Sequence, residues 1–300
     1  MQEYWSRVHL VTHLVHRPSF ERQYTRFWQA VSTGYEPAFS IQAVVFASLF
    51  AAVASMPSSM VTSKLGATKQ DMVNNLQTAV EYALTKANVM KTTKTETLQA
   101  FTMYLVRNDI TRTGTVLTSQ IPLCGKEMTR AHGTITSMAI RLAMMAGLHK
   151  DGTEFGLSPV ETHVRRLIWH TLIRLDARTA QAVGPMQSQI RHGEYSTQLP
   201  LNVDDVDLEG LLQPTKDANR FTDNTLNRLR LEISLFNSEI FAHKQKVDRR
   251  QAVLAAVLKK VEEWFKVMEA KYRPILNTSI PIQDFAWKLL QANHQGFYIG

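Results

Sequence analysis

The strongest constraint on this chain lies near its middle. Behind Ser158-Pro159-Val160-Glu161, the residues Val160, Val164, Leu167, Ile168, Leu172 and Leu175 follow at steps of 4, 3, 1, 4 and 3, and Trp169, Ile173 and Ala180 add a second apolar side. One apolar stripe makes a surface helix, whereas two sides make a helix that other helices must enclose. Its start is well marked. Ser158 at the N-cap and Glu161 at the third helical position can each satisfy an orphan backbone N–H, and Pro159 suits the first position. The same 3.6-residue rhythm predicts helices near 2–16, 20–32, 40–55, 69–90, 95–108, 126–147, 159–183, 226–247, 249–272 and 282–295. Strand-like alternation between turn residues is scarce, and no Asn-Gly or Asp-Gly hairpin joins two alternating runs. The expected class is all-α: a large, irregular multi-helix domain.

Hydrophobic residues make up 44% of the 300 positions, enough for a substantial core and too many for a disordered tail. The longest apolar run, 43–54 (AVVFASLFAAVA), holds twelve residues, whereas a bilayer span needs about 20. A buried core helix is the expectation, with no membrane partner. Ala146-Gly147-Leu148 has the pattern of a left-handed glycine cap followed by an apolar residue that packs back. Between Gly184 and Thr225 the periodicity stops, which predicts one long irregular loop near 184–225. No clean linker divides the chain, so 1–300 is read as one domain.

The familiar catalytic signatures are absent. The sequence has no G-x-S-x-G elbow, no G-x-G-x-x-G turn and no H-E-x-x-H helix, and Gly125-Lys126 lacks the rest of a phosphate loop. The single cysteine, Cys124, precludes a disulfide framework or an all-thiolate zinc site and reads as a small buried hydrophobe. His9, His13 and His16 stand at steps of four and three, which would put them on one helical face in a spacing that suits a three-nitrogen zinc site. They also sit among Val8, Leu10, Val11, Leu14 and Val15, and the expectation is a chain without metal or other cofactor. Asn202–Gly210 superficially resembles a calcium loop, but the twelfth position counted from Asp205 is Lys216 where a bidentate Glu is required. Its short acids are better read as caps for backbone N–H groups. Arg165 and Arg166 could grip an anion, although Arg165 also lies four residues after Glu161, the spacing of an intrahelical pair. The net charge, 34 − 26 = +8, bears on solubility and steering.

Several motifs resemble one family in their order and spacing. Val15-His16-Arg17-Pro18-Ser19-Phe20, with Tyr24 and Phe27-Trp28, looks like the opening of the fungal-specific transcription factor domain, the middle homology region of fungal binuclear zinc cluster regulators. Thr97-Leu98-Gln99-Ala100-Phe101 with Tyr104-Leu105 resembles its "LQAL…YL" helix. Ala139, Arg141 and Ala143, then Gly147-Leu148-His149-Lys150-Asp151-Gly152, resemble its R-x-A…GLHRDG signature, with Lys150 in place of the usual Arg. Arg165-Arg166-Leu167-Ile168-Trp169 resembles R-R-x-x-W, with His170 where a second Trp is common, and Asp176 and Arg178 follow. Pro200-Leu201-Asn202-Val203-Asp204-Asp205-Val206-Asp207-Leu208 is the clearest match, to the loop PLN-x-DD-x-DL. The match is clearest over 15–232. After Gly184 the family usually carries Arg-Pro, where Pro185-Met186 stand here.

The resemblance implies a regulatory domain of a nuclear fungal regulator of RNA polymerase II transcription, not an enzyme. Its signature residues would be structural or regulatory: His16, Pro18, Phe20, Arg141, Gly147, Leu148, His149, Asp151, Arg165, Arg166, Trp169, Asp176, Pro200, Asn202, Asp204, Asp205 and Asp207. The six-cysteine zinc cluster that reads DNA is expected upstream or in a partner, so zinc and DNA are not expected to bind these residues. A homo- or heterodimer and a small-molecule effector are open at this level. Two other readings compete: a truncated protein that dimerises with full-length regulators and blunts them, and an all-α enzyme whose site is assembled from distant residues.

Overall fold

The computed structural model describes residues 1–116, 130–183, 188–190, 193–210, 214–248, 250 and 253–299, and every regular element among them is helical. Cys124, Gly125, Lys126 and Gly184–Met186 lie outside the described residues. The all-α expectation therefore holds. The chain clusters into two compact units, Met1–Pro200 with Asp205–Gln213 and Leu201–Asp204 with Pro214–Gly300.

The first unit begins with α1 (Gln2–Tyr4), which runs into a π-helical turn (Trp5–His9). It continues through α2 (Arg17–Ser32), α3 (Phe39–Ser55), α4 (Ser58–Leu65), α5 (Lys69–Lys86), α6 (Thr95–Val116) and α7 (Arg130–Met145). A 3-10 turn (Gly152–Phe155) leads into α8 (Pro159–Val183), and a second 3-10 turn (Asp205–Glu209) completes the unit. The run 43–54 lies in α3, which packs against both α5 and α6. Its alanines and serines let those neighbours approach closely, while Val44, Val45 and Phe50 fill the space between them. Buried Ser48 and Ser55 lose no hydrogen bond, because their hydroxyls donate to the carbonyls of Val45 and Ala52, each at 2.7 Å. Pro57 forces Met56 into extended backbone and ends α3. The Lys69 ammonium then donates to the Ala54 and Met56 carbonyls at 2.9 and 2.7 Å, satisfying acceptors at that C-terminus.

Local end signals behave as the residues predict. The Glu161 N–H donates to Ser158 Oγ at 3.3 Å and the Ser158 N–H to Glu161 Oε2 at 3.2 Å, closing the capping box of α8. Gly147 has φ +75°, and the Leu148 N–H reaches the Ala143 carbonyl at 2.9 Å, so the chain leaves α7 through a left-handed cap. Gly152 is needed for space: a Cβ there would stand 2.5 Å from Thr162 Oγ1 and 3.0 Å from Thr162 Cα.

The chain departs from expectation at several places, and the helix expected over 95–108 runs on to Val116. The predicted helix 2–16 stops at His9, and residues 10–16 follow an irregular path. Helix α4 was not visible in the periodicity, since eight residues with four hydroxyl side chains make a weak pattern. Helix α10 begins at Leu254 and not at 249. Arg165 does not pair with Glu161, whose carboxylate is taken by the cap; its Nη2 instead donates to the Ala146 carbonyl at 3.3 Å.

The second unit contains α9 (Thr225–Asp248), α10 (Leu254–Tyr272), a 3-10 turn (Arg273–Ile275) and α11 (Pro281–Ile299). Its three helices pack pairwise. Phe236 stacks on Trp264 with centroids 4.1 Å apart and meets Phe297 edge-on over Ile240, Val257 and Val261.

Candidate functional site

The residues that carry the chain's chemistry gather around two buried aspartates, both in the first unit. Asp151 caps the 3-10 turn after the Gly147 bend, accepting from Thr153 N at 3.2 Å and Thr153 Oγ1 at 2.8 Å. Arg166, one face round α8, clasps it bidentately, with Nε to Oδ2 and Nη2 to Oδ1 both at 2.8 Å. The Gln198 N–H adds a fifth bond at 2.9 Å and brings the 193–200 segment onto the same carboxylate. The anion that Arg166 grips is thus internal. Burial raises the Asp151 carboxyl, but Arg166, the Gln198 N–H and Thr153 more than offset it and hold it well below the usual range.

The second node is built on Asp205, the first residue of its 3-10 turn. His13 Nε2 lies 2.8 Å from Oδ1, and the Arg17 N–H donates to Oδ2 at 2.6 Å. His9 Nε2 stands 3.5 Å from Oδ2. His16 Nε2 donates to the Asp205 backbone carbonyl at 2.7 Å, while its Nδ1 faces Ser19 Oγ at 2.8 Å and caps α2. Tyr4 and His163 complete the surroundings, and His163 meets His13 edge-on with centroids 6.2 Å apart. The side chains of His9, His13 and Asp205 are all at most 3% exposed. Among the described residues, Tyr4 Oη, His9 Nδ1 and both ring nitrogens of His163 have no hydrogen-bond partner.

The electrostatics of this node differ from those of the first. Burial, then His13, pushes His9 down to about 4, against the pull of Asp205. Burial, then His13, takes His163 to about 3. Both imidazoles are therefore neutral at pH 7. Burial raises the Asp205 carboxyl, but His13 and His9 hold it well below the ordinary carboxylate range, and burial beside Asp205 pushes the Tyr4 phenol up.

The remaining signature residues divide between packing and loop support. Phe20 is buried against Tyr4 and Trp5, and Pro18 lies in the first turn of α2. Leu148 is fully buried, and the His149 carbonyl takes the Ser196 N–H at 3.0 Å. Trp169 is 1% exposed and packs against His149 and Tyr195. Asp176 accepts from Gln189 N at 2.7 Å, Ile190 N at 3.1 Å and the Ser188 hydroxyl, while burial raises its carboxyl. Arg141 is exposed at the mouth of a pocket of about 210 Å³ that it shares with Ser137, Trp169 and Glu194. Pro200 is buried and Asp207 half-buried.

In the second unit, Asn202 is the organising residue of its segment. Its N–H donates to Asp217 Oδ1 at 2.9 Å, its Nδ2 to the Ala218 carbonyl at 3.0 Å, and its Oδ1 accepts from Thr222 and Thr225, both at 2.7 Å. Asp204 accepts the Asp223 N–H at 2.8 Å and pairs with Arg220. The expectation that these short acids cap backbone N–H groups holds for Asp204 and Asp205. What sequence reasoning missed is Tyr4 and His163 beside Asp205. For His163 there was one signal: a histidine one turn from Val160 and Leu167, on a helix with too many buried sides.

The fungal-specific transcription factor domain model matches residues 1–273. The chain belongs to that family. Over 286 residues it is 25% identical to the aurofusarin cluster transcription factor aurR2 of Gibberella zeae, covering 94% of this chain and 40% of that protein. The C6 finger domain transcription factor hasF of Aspergillus fumigatus is 24% identical over 330 residues, covering 95% of this chain and 41% of its own. The pyriculol/pyriculariol biosynthesis cluster transcription factor 1 of Pyricularia oryzae is 29% identical over 223 residues, 74% of this chain and 27% of that protein. This chain thus spans about two fifths or less of the length of these relatives. No solved structure matches it. Within the matched residues, Asp151 with Arg166, and His16 with Asp205, join positions 15 and 189 apart in the chain.

Proposed function

We propose that this chain is the regulatory, non-enzymatic region of a nuclear fungal transcription regulator that controls a set of metabolic genes. The observation that carries this reading is the family match over residues 1–273, together with relatives named as cluster transcription factors. The buried signature residues support it, because Asp151, Arg166, Asp205 and His16 bond to one another and face no open cleft. Such a framework suits a helical body that relays a state. An effector would act by binding two states of it unequally, and we would look for it first in the pocket beside Arg141 and Trp169.

DNA is reached through a zinc cluster outside residues 1–300 or on a dimer partner. Base readout needs an element that enters a groove and presents side chains to base edges. Residues 1–300 alone should therefore select no sequence from a random pool, and any binding should fall steeply with salt. The deciding experiment tethers the chain to a heterologous DNA-binding domain above a reporter in a fungal host. A change in reporter transcript, up or down, is expected. An unchanged transcript with the fusion present at the promoter would sink the regulatory reading.

A further inference from the structure

We propose that His9, His13 and Asp205 form a buried site for one divalent transition-metal ion, zinc by donor type, distinct from the zinc cluster of the family. The expectation of a metal-free chain treated the histidines as one face of a helix. That helix ends at His9, yet His9 and His13 still converge, and the residue they converge on lies 192 positions after His13. One ligand atom from each of the three lies within 4.8 Å of the others. Zinc–nitrogen and zinc–oxygen bonds of roughly 2.0–2.2 Å set neighbouring donors of a tetrahedral site about 3.3–3.6 Å apart. The separation from Asp205 Oδ2 to His9 Nε2, 3.5 Å, falls within that range, and that from Oδ1 to His13 Nε2, 2.8 Å, is shorter, so His13 would draw back slightly to admit an ion.

Three further observations favour an ion over a plain hydrogen-bond network. The first is His9, which is buried, with Nδ1 lacking a hydrogen-bond partner among the described residues and Nε2 reaching Asp205 Oδ2 only at 3.5 Å. A buried imidazole left unsatisfied is costly, and a cation that takes its lone pair removes the cost. The second is the support behind the carboxylate. The Arg17 N–H fixes Oδ2 and His16 Nε2 fixes the Asp205 carbonyl, which is the outer-shell anchoring that metal ligands commonly show. The third is His163, likewise buried with both ring nitrogens unpartnered among the described residues, which meets His13 edge-on 6.2 Å away and adds a neutral imidazole to the wall of the site without joining the three converging donors. The donors are imidazole and carboxylate without thiolate, a set that suits zinc and excludes the soft-ligand preference of copper(I). Closed on all sides by protein, such an ion would staple residues 9–16 to the 205–209 turn and would carry no reaction.

The test uses the purified full chain, stripped with a chelator and titrated with cobalt(II), then with zinc(II). One equivalent of cobalt should enter with the visible absorption of a four- or five-coordinate site, zinc should displace it, and the melting temperature should rise with occupancy. His9→Phe keeps ring volume while removing one ligand, and Asp205→Asn keeps shape while removing the charge; each should weaken cobalt binding roughly tenfold or more. His243→Gln, in the second unit, should change nothing. Uptake well below one equivalent, an octahedral spectrum, or binding indifferent to His9→Phe would each overturn the site. If Asp205→Asn does not fold, the wild-type titration and His9→Phe still decide.

Discussion

Two buried aspartates do the same topological work with opposite chemistry. Asp151 joins the Gly147 bend, α8 and the 193–200 segment; Asp205 joins the N-terminal residues 9–17 to the turn that it begins. At Asp151 the counter-charge is a guanidinium that never loses its proton, and five donors fill the carboxylate. At Asp205 the facing groups are imidazoles, which titrate, exchange tautomers and bind ions. The first node is saturated; the second keeps polar atoms in reserve. Two carboxylates in one helical body can therefore be a fixed joint and an adjustable one.

The sharpest way to break the contrast is Arg166→Met. It leaves Asp151 buried with only neutral donors, so unfolding in denaturant should show a loss of about 3–5 kcal/mol. A loss under about 1 kcal/mol would mean that Thr153 and Gln198 suffice, and the two nodes would differ less than their geometry implies. Of similar size is acid. His9 and His163 have native values near 4 and 3 against an ordinary 6.5, so protons bind the unfolded chain first and stability drains as pH falls from 6.5 toward 4. In metal-free protein this should amount to roughly 5 kcal/mol by pH 4.5, about half from each histidine. The Asp151 joint obeys the same sign in a lower window, because its depressed carboxyl contributes in full above about 3.8 and is lost only below that. Denaturation midpoints that stay flat between pH 6.5 and 4.5 would contradict this separation.

Smaller still is Asp205→Asn in chelator-treated protein. The amide keeps an acceptor for the Arg17 N–H, and the loss should be about 1–2 kcal/mol, the scale of one charged hydrogen bond. A penalty equal to that of Arg166→Met would show the Asp205 charge to be as indispensable as the other. Smallest is Arg22→Ala. Its pair with Glu209 joins α2 to the same 3-10 turn, but both side chains are exposed, so the change should be the least of the four and shrink in salt.

Legibility in the sequence followed the range of the interactions. The capping box at Ser158, the glycine exit at Gly147 and the buried run in α3 are decided within a few residues, and each stands where the residues place it. The Arg165–Glu161 pair failed because two local partners compete for one carboxylate and the cap, which is closer in sequence, wins. The histidines are the instructive case. Spacing brought them together on paper through a helix; the molecule brings His9 and His13 together by ending that helix, and no periodicity could have named Asp205 as the third member.

The same separation has a kinetic side. Tyr4 and Val8 can pack on α3 soon after it is made, but the carboxylate facing His13 is synthesised 192 residues later. At roughly 5–20 residues per second, the ribosome delivers it about 10–40 s afterwards. Until then Val11, Leu14 and Val15, all buried in the finished protein, belong to a segment with an unmade partner. A nascent chain stalled short of Asp205 should expose that segment to chaperones and proteases, and one extended past residue 210 should conceal it.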